Sequence, residues 1–172
     1  MWCQACGMSI AIREAEANDA PRIVQIYVES WNAGFGELMP DLAVDEDRIS
    51  RWTTDLTTGQ THWWVAEYDG SIAGFVGIGP SRDPVDPELG ELDTIAVDPA
   101  HWRKSIGTAL MRTALDALAE AGFTEAILWT LAGYDQGQTF YNSMGWTRDG
   151  RTRDNGHQVA FRHDLRRSWP DQ

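Results

Sequence analysis

The sequence has only two cysteines, Cys3 and Cys6, and both stand at its beginning. A zinc ribbon would need a second C-x-x-C pair, and a thioredoxin-like motif should open a helix after a strand. The 4 histidines are scattered and lack metal-ligand spacing. We therefore expect no metal site, and we interpret residues 1–8 as a flexible leader.

Long apolar runs and positive charge are also scarce. No run approaches the roughly 20 apolar residues that span a bilayer, and the start of the chain lacks the basic-then-apolar order of a signal peptide. We therefore expect a cytoplasmic protein with no membrane partner. The 26 Asp and Glu outnumber the 14 Lys and Arg, which gives a net charge of −12. Because non-specific nucleic-acid binding requires Lys and Arg to neutralise phosphates, no nucleic-acid partner is expected.

The remaining sequence has the pattern of one mixed domain. At 172 residues the chain fits a single domain, which we assign to residues 9–167, with 168–172 as a tail. Periodicity predicts the element order β-α-α-β-β-β-α-β-α-β-β. Turn signals at Asp69-Gly70 and Asp154-Asn155-Gly156 predict two hairpins. The predicted fold is α/β, a single mixed, mostly antiparallel central sheet with flanking helices.

Glycine is scarce in one segment where a phosphate-binding loop would favour it. The segment "HWRKSIGTALM" (101–111) joins a predicted strand, 91–99, to a predicted helix over about 104–120. It contains only Gly107, and Ser105 stands where a second glycine is expected. Because left-handed backbone favours glycine, we expect the φ angle of Ser105 not to be strongly positive.

The same segment has the features of an anion site. The first N–H groups of a helix have no internal partner, and the helix dipole favours negative charge there. Arg103 and Lys104 add positive charge, which is unfavourable at a helix N-terminus unless an anion joins it. The alternative is a pair of solvated basic residues before an amphipathic helix. The candidate backbone donors are Ser105, Ile106, Gly107, Thr108 and Ala109.

Two motifs resemble those of the GNAT superfamily of N-acetyltransferases. "VDPAHWRKSIGTALMRTAL" (97–115) resembles the acyl-CoA signature, a strand ending Val-x-Pro followed by Gln/Arg-x-x-Gly-x-Gly/Ala. "LWTLAGYDQGQTFYNSMGW" (128–146) resembles the second landmark, a strand and a helix ending Phe-Tyr-x-x-x-Gly-Phe. "SWNAGFGELMP" (30–40) is similar to the acceptor-side loop of bacterial members. The sequence departs from the signature at Trp102 and Ser105, and Tyr134 replaces the usual Asn before the last helix, where Asp135 is expected to take over the capping role.

The resemblance implies acetyl-CoA as co-substrate, without a metal. The cofactor would lie between strand 91–98 and strand 125–131, with its pantetheine arm bonded to backbone groups as an added strand would be. The backbone N–H of Val97 is the candidate donor to the thioester oxygen as it becomes an oxyanion. The implied cofactor-binding residues are Ile95, Ala96, Val97, Trp102, Arg103, Lys104, Ser105, Ile106, Gly107, Thr108, Ala109 and Tyr134.

Three side chains are candidates for proton transfer. Glu91 and Asp93 lie two residues apart on one strand face, and either can serve as the base that takes the amine proton, with Glu91 favoured by the family pattern. A water chain is an alternative, and both carboxylates can instead be solvated strand-end groups. The resemblance implies that Tyr141 protonates the departing CoA thiolate, whereas the simpler interpretation is a core tyrosine.

The acceptor side is marked only by an excess of aromatic residues. We assign Trp31, Phe35 and Trp64 to an apolar or cation–π acceptor pocket, with core packing as the alternative for each. The implied function is transfer of an acetyl group from acetyl-CoA to a primary amine of a small molecule or peptide, directly within a ternary complex. A non-catalytic acyl-CoA-binding module or sensor is the alternative, and the small size also allows a homodimer.

Overall fold

A computed structural model describes residues 9–167. The predictions for the leader 1–8, with Cys3 and Cys6, and for the tail 168–172 lie outside the described residues. The predicted element order is confirmed, with bounds β1 Ile10–Glu14, α1 Ala20–Phe35, α2 Glu46–Thr58, β2 His62–Tyr68, β3 Ser71–Pro80, β4 Leu89–Val97, α3 Ile106–Glu120, β5 Glu125–Leu131, α4 Asp135–Ser143, β6 Thr147–Arg153 and β7 Gln158–Asp164.

The seven strands form one sheet in the order β1-β2-β3-β4-β5-β7-β6. The β4–β5 pair is parallel and the other five neighbouring pairs are antiparallel. The predicted mixed, mostly antiparallel sheet with flanking helices is therefore confirmed. Both predicted hairpin turns are present, since Asp69 and Gly70 have φ angles of 52° and 81°, and Asp154, Asn155 and Gly156 also have positive φ.

Each sheet face carries its own core. On one face α3 and α4 cover a large apolar cluster, in which the fully buried Trp146 indole donates to the Met111 sulfur at 3.3 Å. On the other face α1 and α2 cover a smaller cluster centred on Trp63 and Phe75. Much of the aromatic content is therefore core. No helix within residues 9–167 is long and apolar enough to cross a bilayer.

Trp63 packs directly over a glycine of the neighbouring strand. Its ring lies 4.7 Å from that of Trp52, centroid to centroid, and a Cβ atom on Gly77 would overlap its six-membered ring. Gly79 lies on the same strand, but a Cβ there would meet no atom closer than 3.5 Å. The two glycines therefore differ in how much space the fold leaves beside them.

We expect Gly77→Ala to lower the free energy of unfolding by about 1–3 kcal/mol, because overpacking must displace Trp63. Gly79→Ala is the matched control and should change stability by less than about 0.5 kcal/mol. Urea denaturation followed by tryptophan fluorescence measures both. Equal effects of the two substitutions would contradict the close packing of Trp63 on Gly77.

Candidate active site

The site begins where β4 and β5 separate. Their parallel pairing covers only Leu89–Glu91 with Glu125–Ile127. Beyond these pairs the strands diverge around a cavity of about 490 Å³, lined by residues 92–97 of β4 and 128–131 of β5. The cavity is closed by residues of α1 on one side and by the starts of α3 and α4 on the other.

Alternation along β4 decides which backbone groups face this gap. The Asp98 N–H donates to the Ala73 carbonyl at 2.8 Å, and Val97 is the next partner along the β3–β4 ladder. In an antiparallel ladder, hydrogen-bonded and non-hydrogen-bonded pairs alternate. The N–H and C=O of Ala96 therefore bond to β3, whereas those of Ile95 and Val97 point into the gap. The geometry thus corrects the expectation that the backbone of Ala96 is available to a ligand.

The start of α3 forms one end of the cavity. Ser105 is the residue before the helix, and the N–H groups of Ile106, Gly107 and Thr108 are the first three, which have no intrahelical partner. The Ala109 N–H donates to the Ser105 carbonyl at 3.1 Å, and Ala109 does not line the cavity. The predicted donor set therefore loses Ala109.

Ser105 itself departs from the sequence-based expectation. Its φ angle is 63°, in the left-handed region, and Arg103 has the same value. The expectation of a φ that is not strongly positive is therefore wrong. The helix begins at Ile106 rather than at 104, because the chain must reverse through these two left-handed residues before the helix can start.

The two basic residues before α3 diverge. Arg103 lines the cavity, whereas the Lys104 ammonium lies 4.9 Å from the ring centroid of Tyr68 on β2. Lys104 is not among the cavity-lining residues, so the structure does not bring it to the site. One cation, not two, is placed beside the helix N-terminus.

Trp102 spans this end of the gap. It lines the cavity, and its indole N–H donates to the Val97 carbonyl at 2.8 Å. This carbonyl is one of the groups that point into the gap. Trp102, which replaces the usual Gln or Arg, therefore bonds to a backbone carbonyl of β4 and does not project toward solvent.

Tyr141 lies on α4 and lines the same cavity. Its ring is 5.8 Å from those of Phe140 and Phe161, and this apolar burial raises the pKa of its phenol, as does the neighbouring Tyr134. Tyr141 is therefore protonated at neutral pH and has a proton to donate.

The two carboxylates share one cation that sequence analysis missed. The Arg82 guanidinium donates to Glu91 at 2.9 Å and also to Asp93. Asp93 is the residue left without a partner where the β3–β4 register shifts, and such a bulge redirects a side chain. Asp93 lines the cavity and Glu91 does not. Arg82 therefore brings the two carboxylates together, but only Asp93 reaches the cavity.

Four aromatic rings line one part of the cavity. Tyr27, Trp31 and Phe35 are spaced by four residues along α1, and the Trp31 and Phe35 centroids are 4.8 Å apart. Tyr134, before α4, meets Phe35 at 4.6 Å. We call these four cavity-lining rings the aromatic wall. Tyr134 thus belongs to this wall, and Asp135 is the first residue of α4 rather than its cap.

Residues 20–146 match the sequence profile described as the acetyltransferase (GNAT) family. The chain belongs to the acetyltransferase (GNAT) family. The matched region contains the β4–α3 unit, β5 and α4, and therefore every cavity-lining residue except Gln158 of β7. This assignment confirms the resemblance that the two sequence motifs indicated and identifies the protein as an acyltransferase.

Individual relatives agree with the family assignment. The chain is 24% identical over 168 residues to the uncharacterized N-acetyltransferase YuaI of Bacillus subtilis, covering 94% of each chain. It is 35% identical over 91 residues to human N-acetyltransferase 8, but this covers 52% of the chain and only 40% of the human protein. The Salmonella typhimurium protein yncA, solved with its cofactor acetyl-CoA, has the same fold, with a TM-score of 0.71 and 21% identity over 94% of this chain and 98% of that one.

The GNAT fold does not bring every predicted acceptor residue to the cavity. Trp64 packs against the core beneath α3 and stacks near His62, and it is not among the lining residues. The prediction of Trp64 as an acceptor residue is therefore corrected. Trp31 and Phe35 do line the cavity, and the helical spacing that links them to Tyr27 is the signal that would have found the third ring.

We expect Ser105→Gly to raise the free energy of unfolding by about 1 kcal/mol, because glycine adopts positive φ without the steric cost that serine bears. For a chain of this size, that corresponds to a melting temperature higher by about 2–4 °C. Ala109→Gly, within the regular part of α3, is the control and should destabilise by a similar amount. Calorimetry measures both, and a lower melting temperature for Ser105→Gly would contradict the left-handed conformation.

Proposed function

We propose that the gap between β4 and β5 binds acetyl-CoA and that the acetyl group passes directly to a primary amine held at the aromatic wall. The observation that carries this proposal is one continuous cavity that contains the open backbone edge of β4. The cavity extends from the unpaired N–H groups at the start of α3 to Asp93. An extended ligand with an anionic end and a polar arm matches both features. The acetyl-CoA in the structure of yncA supports the same choice.

The cofactor contacts follow from which groups are free. Its pyrophosphate would meet the N–H groups of Ile106, Gly107 and Thr108 at the positive end of the α3 dipole, with Arg103 as the supporting cation. Its pantetheine arm would pair with the gap-facing backbone groups of Ile95 and Val97, as in strand addition. The reactive thioester would then lie near the middle of the cavity, between Asp93 and Tyr141.

The reaction requires the amine to lose a proton and the CoA thiolate to gain one. A neutral amine nitrogen attacks the thioester carbon, and the carbonyl oxygen becomes an oxyanion that a gap-facing backbone N–H of β4 can stabilise. The amine proton passes to a carboxylate, directly or through water, and Asp93 is our choice over Glu91 because it lines the cavity. When the carbon–sulfur bond breaks, the thiolate takes the proton of the Tyr141 hydroxyl.

The aromatic wall supports a proposal for the class of acceptor. Its rings offer broad apolar faces, which favour an amine with a flat or apolar body and also attract cations. Both a small-molecule amine and a peptide amine fit this description. The homodimer and the cytoplasmic location stay predictions.

Acetyl-CoA binding and turnover test this function together. We expect acetyl-CoA to raise the melting temperature and CoA release to be fastest with phenethylamine, compared with ethanolamine and a glycyl peptide. Thiol release followed with a chromogenic disulfide measures the rate. Stabilisation without turnover of any amine would favour a binding module instead, and no stabilisation by acetyl-CoA would contradict the proposal.

We expect Tyr141→Phe to lower kcat by about 100-fold, because general acids typically contribute at least this much. The Kd for acetyl-CoA should change by less than about twofold, since the ring and its packing remain. Steady-state kinetics and isothermal titration calorimetry separate the two effects. Tyr68→Phe, which removes a phenol outside the cavity, is the matched control, and an unchanged kcat in Tyr141→Phe would contradict the acid role.

A further inference from the structure

Arg82 joins the two candidate bases into an ion triad. Its guanidinium donates to the Glu91 carboxylate at 2.9 Å and also to Asp93. The second Glu91 oxygen accepts the Arg82 backbone N–H at 3.0 Å. The other Asp93 oxygen accepts the Thr94 hydroxyl at 2.9 Å. Every carboxylate oxygen of the pair therefore has a donor.

The three side chains of the triad differ in their exposure. The Glu91 side chain is 8% exposed and that of Asp93 is 19% exposed, whereas Arg82 is 67% exposed. Glu91 is thus the fixed, buried end of the triad, held through both of its oxygens. Asp93 is the end that reaches the cavity, and Arg82 connects the two from the outside.

The loop between β3 and β4 sets the position of Arg82. The Ser81 N–H donates to the Leu89 carbonyl at 3.0 Å, and the Ser81 hydroxyl bonds to the Pro84 carbonyl. These contacts turn the chain back toward the first residues of β4. The Arg82 backbone therefore lies directly above Glu91, which explains the contact between its N–H and that carboxylate.

We propose that Arg82 is a positioning residue that, anchored on Glu91, offsets the repulsion between the two carboxylates and holds Asp93 turned toward the cavity. This inference rests on the proposed function for its catalytic meaning, and it assigns Glu91 the role of anchor rather than base. An opposite charge favours the ionised form of a carboxylate, whereas two carboxylates that share a site disfavour each other's ionisation. Arg82 therefore prevents the repulsion that the Glu91–Asp93 pair would otherwise suffer.

The triad also leaves one negative charge beside the cavity. Two carboxylates and one guanidinium sum to a charge of about −1 when all three are ionised. This charge attracts an ammonium, the form in which a free amine predominates at neutral pH, to the place where it must lose its proton. Tyr27 of α1 also lies near Asp93, and the Arg48 guanidinium of α2 lies 5.9 Å from the centroid of the Tyr27 ring.

Arg82→Gln tests the triad in the protein without any ligand. We expect one of the two carboxylates to titrate at least about one pH unit higher in the variant than in the wild type. The carboxyl ¹³C signals of Glu91 and Asp93, assigned with Glu91→Gln and Asp93→Asn, report this titration directly. Arg82→Lys should restore most of the wild-type titration, because it restores the charge. Unchanged titration in Arg82→Gln would overturn the proposal.

Arg166→Gln is the matched control. Its side chain is 66% exposed and pairs with Asp164 at 3.0 Å, so the substitution removes the same charge from a similarly exposed arginine, just beyond the end of β7. We expect Arg166→Gln to leave both titrations unchanged. An equal shift in the control would show a general charge effect and would also overturn the proposal.

The pH profile of kcat/KM with phenethylamine gives a second readout. In Arg82→Gln we expect the acid limb of this pH profile to move toward higher pH. A purely structural effect of the substitution would lower the rate without moving the limb. An acid limb that does not move in an active enzyme overturns the positioning role while the proposed function stands. If the enzyme acetylates no amine, the proposed function fails. The carboxyl titration then still tests the role of Arg82 in the triad.

Discussion

The early separation of β4 from β5 is the constraint on which the rest of the structure depends. Parallel pairing is limited to three residue pairs, so both strands continue with an unpaired edge in the middle of a seven-stranded sheet. Unpaired backbone groups inside a protein need partners. The Trp102 indole bonds to this edge, the start of α3 and the aromatic wall line the same cavity, and in the proposed function a ligand pairs with the edge.

The two halves of the sheet are tied across the gap by the loop that carries Arg82. The Trp129 indole of β5 donates to the Asp83 carbonyl at 3.0 Å, and the Thr124 N–H donates to the Glu88 carbonyl at 3.2 Å. The loop between β3 and β4 therefore also contacts β5 and the residue before it.

Sequence reasoning predicted the elements and much of the cavity, because both follow local rules. Periodicity identified all α-helices and strands of the described chain, but not the two short 3-10 helices at Ala17–Asp19 and Pro99–His101, and turn chemistry identified both predicted hairpins. The left-handed Ser105 was beyond such reasoning, since serine gives no signal for positive φ. Arg82 was missed because nothing local links it to Glu91, nine residues away. Trp64 was wrongly assigned to the acceptor pocket. The alternation of Trp63 and Trp64 shows that their side chains lie on opposite faces of the sheet, but not which face borders the gap.

The hydrogen bond between Trp102 and Val97 has a consequence for the thermodynamics of binding. A carbonyl oxygen has two lone pairs, so the indole leaves one for a ligand N–H. The indole satisfies one of these lone pairs within the folded chain, so the carbonyl is already partly dehydrated before any ligand arrives. Less solvent must then be removed when the groove fills, so part of the desolvation cost of association is met during folding.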